Sequence, residues 1–433
     1  MLIYTHRITN RLEYIFKQVF TEMLGVSYML TTDEEAFAAS ELPKISYTHH
    51  SVGDELFFQA KNLLFETGIN EQNISVIDWE SSKAFFITGK KSALTFDPFA
   101  ASFFLLSRYE ECLPHRRDNY DRFEAKESIA YQHGFLKKPV VNIWVKKIKE
   151  LLKLRFPSLQ FKENTYQYLS TIDIDNAYAF KRKGLLRTVG AFGKDIFTFN
   201  MPQLKERIKV LAGAVQDPYD TYDYQFALQE KYKFRPLYFF LLADYELNDK
   251  NVPHHNRKFQ SLIKSIADRA DVGIHPSFNS NKNTDKIETE IFRLSDIVHR
   301  EITKSRQHFL ILHFPKTYRN LIDLDITDEY SMGYAQETGF RAGICTPFNY
   351  YDLDLETATK LKVHPFTVMD ATLKYYMKFE PDAAVEHVKE MVREVKAVEG
   401  TFISLWHNET LSEKDQWQGW RKVYEETIKA ALA

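Results

Sequence analysis

Residues 171–178 read TIDIDNAY and close an apolar run, YQYLSTID, that begins at Tyr166. The pattern predicts a strand, with Asp173 and Asp175 two residues apart near its end. Side chains at i and i+2 of a strand share a face, so both carboxylates point at one spot. Like charges held together are costly unless a cation or a proton relieves them. Further strand patterns follow in series: PLYFFLLA, DVGIH, HFLILHF, EYSMGY, AGICTPF and TFISLWH. Helical patterns such as HNRKFQSLIKSIADRA, DKIETEIFRLSDIVHREITK and PDAAVEHVKEMVREVKAVEG lie between them. Such alternation predicts an α/β fold with a parallel sheet under covering helices. About seven strands over residues 161–433 suit a (β/α) barrel, complete or incomplete. An open doubly wound sheet is the alternative.

Residues 1–160 read as a smaller α/β domain. LIYTH, VSYML, KISYTH and AFFITG are strand candidates, and NRLEYIFKQVFTEML carries Leu12, Ile15, Phe16, Val19 and Phe20 on one helical face. PFAASFFLLSRYEECL predicts an apolar helix of about four turns. A second, amphipathic helix ends before Pro157, and the polar FKENT marks the junction. The SRYEE run, Ser107–Glu111, sets charges on an otherwise apolar helix. It reads first as a salt-bridge seam between domains and second as a cleft wall.

Composition narrows the classes of function. An apolar fraction of 44% suits a sizeable core, and 34 Phe with 24 Tyr leave aromatic faces for a carbohydrate surface. A formal charge of −2 gives no reason to expect nucleic acid or an anionic membrane as partner. Two cysteines, Cys112 and Cys345, exclude a disulfide framework and a cysteine-based zinc site. No window has the apolar length of a membrane span, and the N-terminus lacks a cleavable leader pattern, so a cytoplasmic location is expected. GxGxxG and Walker loops are missing.

Polar residues gather at the predicted strand ends, where barrel enzymes assemble their sites. Asp173 and Asp175 end the first strand, and His275 ends DVGIH, with Asn279 four residues on. Arg306 and His308 open the next strand and His313 closes it; Asp328, Arg341 and His407 follow at later ends. Carboxylate plus imidazole with an open position suits zinc or a related divalent ion. Taken singly, a strand-end histidine is more often a core residue than a ligand, and Asp175 can equally cap a helix. The co-occurrence on successive strands is the signal.

On these residues the chain resembles the polysaccharide deacetylase (NodB-homology) superfamily from about residue 165 onward. TIDIDNAY resembles its first motif, in which the first Asp is the base and the second binds metal. GIHPSFN resembles the second, usually an HxxxH ligand pair, with Asn279 in place of the second histidine. SLWHN resembles the last, whose histidine is the acid. The family's arginine–proline motif is not reproduced; its candidate equivalent reads His313-Phe314-Pro315. DPFAASFFLLSRYEE, RFEAKESIAYQHGFLKKPVVNIW, SRQHF, FPKTY and EYSMGYAQETGFRAG resemble a bacterial subgroup with an added N-terminal α/β domain.

The resemblance implies a distorted (β/α) barrel over residues 161–433, preceded by an accessory domain over residues 1–160. It implies Asp173 as base, His407 as acid, and Asp175 and His275 as metal ligands, with zinc the first candidate ion. The third ligand is Asn279 or His308, and a site without metal is the remaining option. Arg306 or Arg341 would hold Asp173 ionised, since a neighbouring cation lowers a carboxylate pKa. The implied activity is metal-dependent hydrolysis of an acetyl group from an N-acetylated sugar or glycan precursor. A catalytically degenerate barrel that binds a glycan or a partner is the alternative.

Overall fold

The computed structural model describes residues 1–433. Leu2–Thr5 (β1), Met29–Thr31 (β2), Lys44–Thr48 (β3) and Leu56–Gln59 (β4) form a parallel sheet in the order β2-β1-β3-β4. A short hairpin, Ile77–Trp79 (β5) and Ser82–Ala84 (β6), stands apart from it. The helix Pro98–Leu106 is buried along its whole length, as its all-apolar sequence requires. Asp97 caps it, accepting from the amides of Phe99 and Ala100 at 3.0 Å, with Pro98 in the first turn. The expected four turns are not reached. Arg108 adopts a left-handed conformation (φ 52°), which ends the helix and starts a single 3₁₀ turn over Tyr109–Cys112.

The second sheet holds nine strands: Gln167–Ile174 (β7), Leu237–Phe240 (β8), Asp271–Ile274 (β9), Lys304–Ser305 (β10), Asp328–Glu329 (β11), Phe348–Asp352 (β12), Thr357–Val363 (β13), Val368–Met369 (β14) and Thr401–His407 (β15). Their order is β12-β13-β11-β10-β9-β8-β7-β15-β14, parallel throughout except for the β12–β13 hairpin. The first strand, β7, lies beside the last long one, β15, as in a cyclic arrangement. No ladder joins β14 to β13 or β11. The α/β expectation is met by a sheet of nine strands, where about seven were expected, in a barrel-like order.

Four expected strands are mostly absent: EYSMGY gives only Glu329 to β11, AFFITG gives only Ala84 to β6, and two others leave the sheet. HFLILHF is a turn, because Phe309 and Leu310 both take positive φ (61° and 57°) and carry the chain out of the sheet. AGICTPF is loop until Phe348, where the β12–β13 hairpin begins.

One cluster of 92 buried apolar residues runs from Ile3 to Ala431, so residues on both sides of position 160 share a core. A second cluster lies against one face of the large sheet. Leu237 and Phe239 of β8 and Ile403 and Leu405 of β15 meet Leu310, Tyr330 and Phe366 there. These strand positions alternate, and the next steps of the alternation are Asp173 on β7 and His407 on β15. Asp173 and His407 are direct cross-strand partners. The apolar layer thus forms the floor on which the polar strand ends stand. Gly273 of β9 permits the close fit, since a Cβ there would lie 2.7 Å from both Lys304 O and the Phe239 ring.

Candidate metal centre and catalytic cleft

Asp175, His275 and His308 bring their ligand atoms within 4.8 Å of one another. His275 Nε2 lies 3.2 Å from Asp175 Oδ1, and His308 Nε2 lies 3.5 Å from Oδ2. Tetrahedral coordination with bonds near 2.0–2.1 Å requires ligand atoms about 3.3 Å apart, which these separations meet.

The local chain explains why both rings present Nε2. His275 follows β9 directly, and its Nδ1 is 2.6 Å from Arg306 O. A carbonyl can only accept, so Nδ1 carries the proton and Nε2 keeps its lone pair in the neutral ring. His308 sits where the chain leaves the sheet. Its amide donates to Pro276 O, and its Nδ1 donates to Asp249 Oδ1 at 2.8 Å. Asp249 is fully buried and also accepts from the Phe278 amide at 3.0 Å. Each histidine is thereby oriented from behind.

Asp175 Oδ1 is buried and has no hydrogen-bond donor. Burial alone would raise the Asp175 carboxyl, yet the His308 charge, then the adjoining His275 and His308 rings, hold it well below the usual range. His308 is pushed the other way. Burial lowers it, but Asp175 and Asp249 outweigh this and bring it up to about 9. The cluster therefore favours positive charge at its centre. An orphaned carboxylate oxygen, two oriented imidazoles and the ligand spacing together fit a divalent ion of the zinc type.

Two pairs of an acid with a basic side chain flank the cluster. Asp173 is buried; its Oδ1 accepts from Arg306 Nη1 at 2.9 Å, while its Oδ2 makes no hydrogen bond. Arg306 is itself fully buried, donating to Thr171 Oγ1 at 2.7 Å and to Tyr330 O at 3.0 Å, with its guanidinium 4.6 Å from the Phe239 ring centre. On the opposite side, His407 Nδ1 donates to Asp370 Oδ1 at 2.8 Å. Asp370 Oδ2 accepts from the His407 amide at 2.7 Å and from Thr410 Oγ1 at 2.6 Å. His407 Nε2 then faces Asp175, 3.9 Å from its Oδ2. Burial lowers the His407 imidazole, but the Asp370 charge and hydrogen bond, then Asp175 and Asp173, raise it well above its ordinary value.

All of these groups except Arg306, Asp249 and Asp370 line one cavity of about 240 Å³, walled by Phe309, Tyr375, Tyr376 and Trp417. Arg122 reaches it from the first 160 residues, donating to Phe309 O and to Tyr376 Oη, both at 3.1 Å. Glu409 also lines it, its carboxyl pushed up to about 7 by burial and by the Asp175 charge.

Two expected site residues lie elsewhere. Asn279 is not with the cluster. The Ser277 amide on Glu290 Oε2 (2.9 Å) and the Phe278 amide on Asp249 turn the chain aside, and the Asn279 amide donates to Glu246. Arg341 is not near Asp173. It is buried against Glu111, 2.6 Å from Oε2, and donates to Gly333 O at 3.0 Å. Glu111 also accepts from Arg108 at 2.8 Å, so the SRYEE run forms a salt-bridge seam across position 160, and the cleft wall comes from Arg122. Asp249, Asp370, Glu409 and Arg122 were not singled out by sequence. For Asp370 a signal existed, a strand-end acid after Val368–Met369.

Residues 1–157 match the model of a family of unknown function (DUF7033). Among curated proteins, no sequence matches this chain. Several solved structures are similar in fold. One is a protein assigned as a polysaccharide deacetylase from Mycobacterium smegmatis, with TM-score 0.41, 11% identity, and 63% of this chain and 85% of that chain covered. Another is a CE4 family pseudoenzyme from Bacillus anthracis, with TM-score 0.31, 11% identity, and 62% of each chain covered. A third is a polysaccharide deacetylase from Bacillus cereus, with TM-score 0.29, 11% identity, and 62% and 88% covered. Likeness of this degree assigns neither family membership nor activity to the chain.

Proposed function

We propose that this chain is a metal-dependent hydrolase that removes the acetyl group from an N-acetylated sugar of a glycan precursor, cleaving the amide C–N bond. The observation that carries this reading is the Asp175–His275–His308 cluster flanked in one cavity by Asp173–Arg306 and His407–Asp370. Asp175, His275 and His308 would hold the ion, zinc being the first candidate. When bound, it supplies Lewis acidity toward an acyl oxygen. Asp173 has one oxygen tied to Arg306 and the other free to take the proton of an attacking water. Water adds to the acyl carbon, and the C–N bond then breaks. His407, held by Asp370, whose charge favours the protonated ring, gives its Nε2 proton to the departing amine. The products are acetate and a free amino sugar. Phe309, Tyr375, Tyr376 and Trp417 offer faces for a sugar ring. Residues 1–160 act as an accessory domain that contributes Arg122 to the wall.

The reading is tested by loading the purified protein with zinc and following acetate release from N-acetylated oligosaccharides. One zinc per chain is expected, lost in His275→Ala and His308→Ala. Asp173→Ala should keep the zinc and lower turnover by roughly 10²–10⁴. A chain that takes up no zinc, or an Asp173→Ala form with full turnover, rules the assignment out.

A further inference from the structure

Residues 181–211 were not absorbed by the chemistry above, and their surface runs contrary to a core-packing pattern. The helix Leu185–Phe197 is amphipathic, but its apolar side is the one turned to solvent. Leu186 is 89% exposed and Phe197 and Phe199 are each 85% exposed, with Leu185, Val189 and Ile196 in the same row. Ile208 and Leu211 of the next helix, Met201–Leu211, and Leu247 of the adjoining loop are exposed as well. A helix of this spacing normally buries that stripe. Contiguous exposed apolar surface marks an interaction site.

The side of the helix turned toward the protein is cationic. A cavity of about 420 Å³ lies behind it, beside Asn176, the residue following Asp175. Lys183, Arg187, Lys194 and Lys250 line this cavity, and none of them has a carboxylate within 4.0 Å. Burial and the Arg187 charge push the Lys183 ammonium down to about 7. The stretch 181–211 carries eight Lys or Arg against two Asp or Glu. Both acids are already paired, Asp195 with buried Arg207 and Glu206 with Lys414. The element is firmly based, because Asp217 accepts from the amides of Ala179, Phe180 and Lys181, and the Asp195–Arg207 pair joins the two helices.

We propose that residues 181–211 dock the protein on a membrane surface bearing anionic phosphate headgroups, the apolar row entering the lipid and the lysine–arginine cavity taking a headgroup phosphate. Exposed Leu and Phe beside cations that no carboxylate neutralises is the composition of an interfacial helix. A second copy of this chain is the poorer occupant, because the patch would set its excess of positive charge against itself. Asn176 of the lysine–arginine cavity directly follows Asp175 of the cleft, which suits an acetylated sugar carried on a lipid phosphate. That substrate class rests on the deacetylase reading; the docking does not.

The test is flotation of the whole protein with vesicles, free of metal and sugar, so that its failure is separable from that of the deacetylase reading. Binding is expected to phosphatidylcholine vesicles containing phosphatidylglycerol, with little to phosphatidylcholine alone, and should fall as salt screens the charges. Leu186→Glu with Phe197→Glu should weaken binding at least about tenfold, since each removes a large side chain from the lipid. Arg187→Glu with Lys194→Glu leaves the apolar row intact and should abolish the preference for phosphatidylglycerol, which keeps the test valid if the first variant misfolds. Absence of binding to anionic vesicles at low salt overturns the proposal. So does wild-type binding by both double variants, or a wild-type dimer that the Leu186 and Phe197 changes convert to monomer.

Discussion

Arg306, directly after β10, and Arg341, in the loop between β11 and β12, are both buried arginines, and both pair with a buried carboxylate. Their surroundings differ. Arg306 is the only cation on Asp173, and one oxygen of that carboxylate remains free in the cleft. Arg341 shares Glu111 with Arg108, so two guanidinium groups close off both oxygens. Burial alone would raise the Glu111 carboxyl, but Arg341 and then Arg108 bring it down to about 2. A carboxylate so fully engaged joins two parts of the chain and has no proton chemistry to offer near neutral pH. Asp173 is half engaged, which is what a base requires. The same ion pair is structural or chemical according to how much of the acid it leaves free.

The comparison is broken most directly by removing each arginine. Arg306→Gln leaves Asp173 buried without its partner, and breaking a buried pair in this way costs about 3–5 kcal/mol. Turnover of acetylated sugar should fall with it. Arg341→Gln leaves Glu111 its bonds to Arg108, so the expected loss is only about 1–3 kcal/mol, with zinc content and turnover per folded molecule unchanged. Denaturant unfolding of the two variants beside the wild type measures the difference. Equal losses of stability, or a loss of zinc in Arg341→Gln, would mean that seam and cleft are one coupled unit.

A smaller effect sharpens what stands behind the ligands. Asp249 orients His308 through Nδ1 and does not line the Asp175 cavity. Asp249→Asn should weaken zinc binding about 10–100-fold, the usual consequence of removing the partner behind a metal-ligating histidine. Competition with a chelator of known affinity reads this directly. The seam offers a control, since Glu110 accepts from Arg108 and from the Ile129 amide, and Glu110→Gln should leave zinc affinity where it was.

Much of the cleft is legible in the sequence because strands obey a two-residue period. Asp173 and Asp175 share a face on that count, and His275 and His407 end runs whose apolar alternation is plain. His308 was harder to place. HFLILHF has strand composition, and nothing local announces left-handed turns at Phe309 and Leu310, which are neither glycine nor asparagine. The choice between Arg306 and Arg341 rests on contacts more than a hundred residues apart in the chain, and strand-end position alone makes the two alike. Asp370 follows a strand of two residues, too short to show a period, and Asp249 lies in an irregular polar loop. The antiparallel β12–β13 hairpin breaks the helix–strand alternation, whose pattern implies parallel units, although TATKLKV itself alternates.

The smallest expected effect concerns a histidine outside both regions, and it isolates the electrostatics of burial from those of the cleft. His387 lies on the helix Pro381–Ala397, its Nε2 2.7 Å from Thr338 Oγ1 and its ring beside Phe379. Burial, followed by the Lys137 charge, pushes its imidazole down to about 4. In the unfolded chain the ring titrates near 6.5. Above that value both states are neutral and the contribution to stability is fully present. As pH falls from about 6.5 the unfolded state takes up the proton first, and stability is lost until the folded ring titrates near 4. Allowing for solvent screening, the loss is roughly 1–2 kcal/mol. His387→Gln cannot take up this proton, so its melting temperature should fall less than that of the wild type between pH 7.5 and pH 4.5. Parallel declines in the two proteins would assign the acid sensitivity to the carboxylates of the cleft and the seam instead.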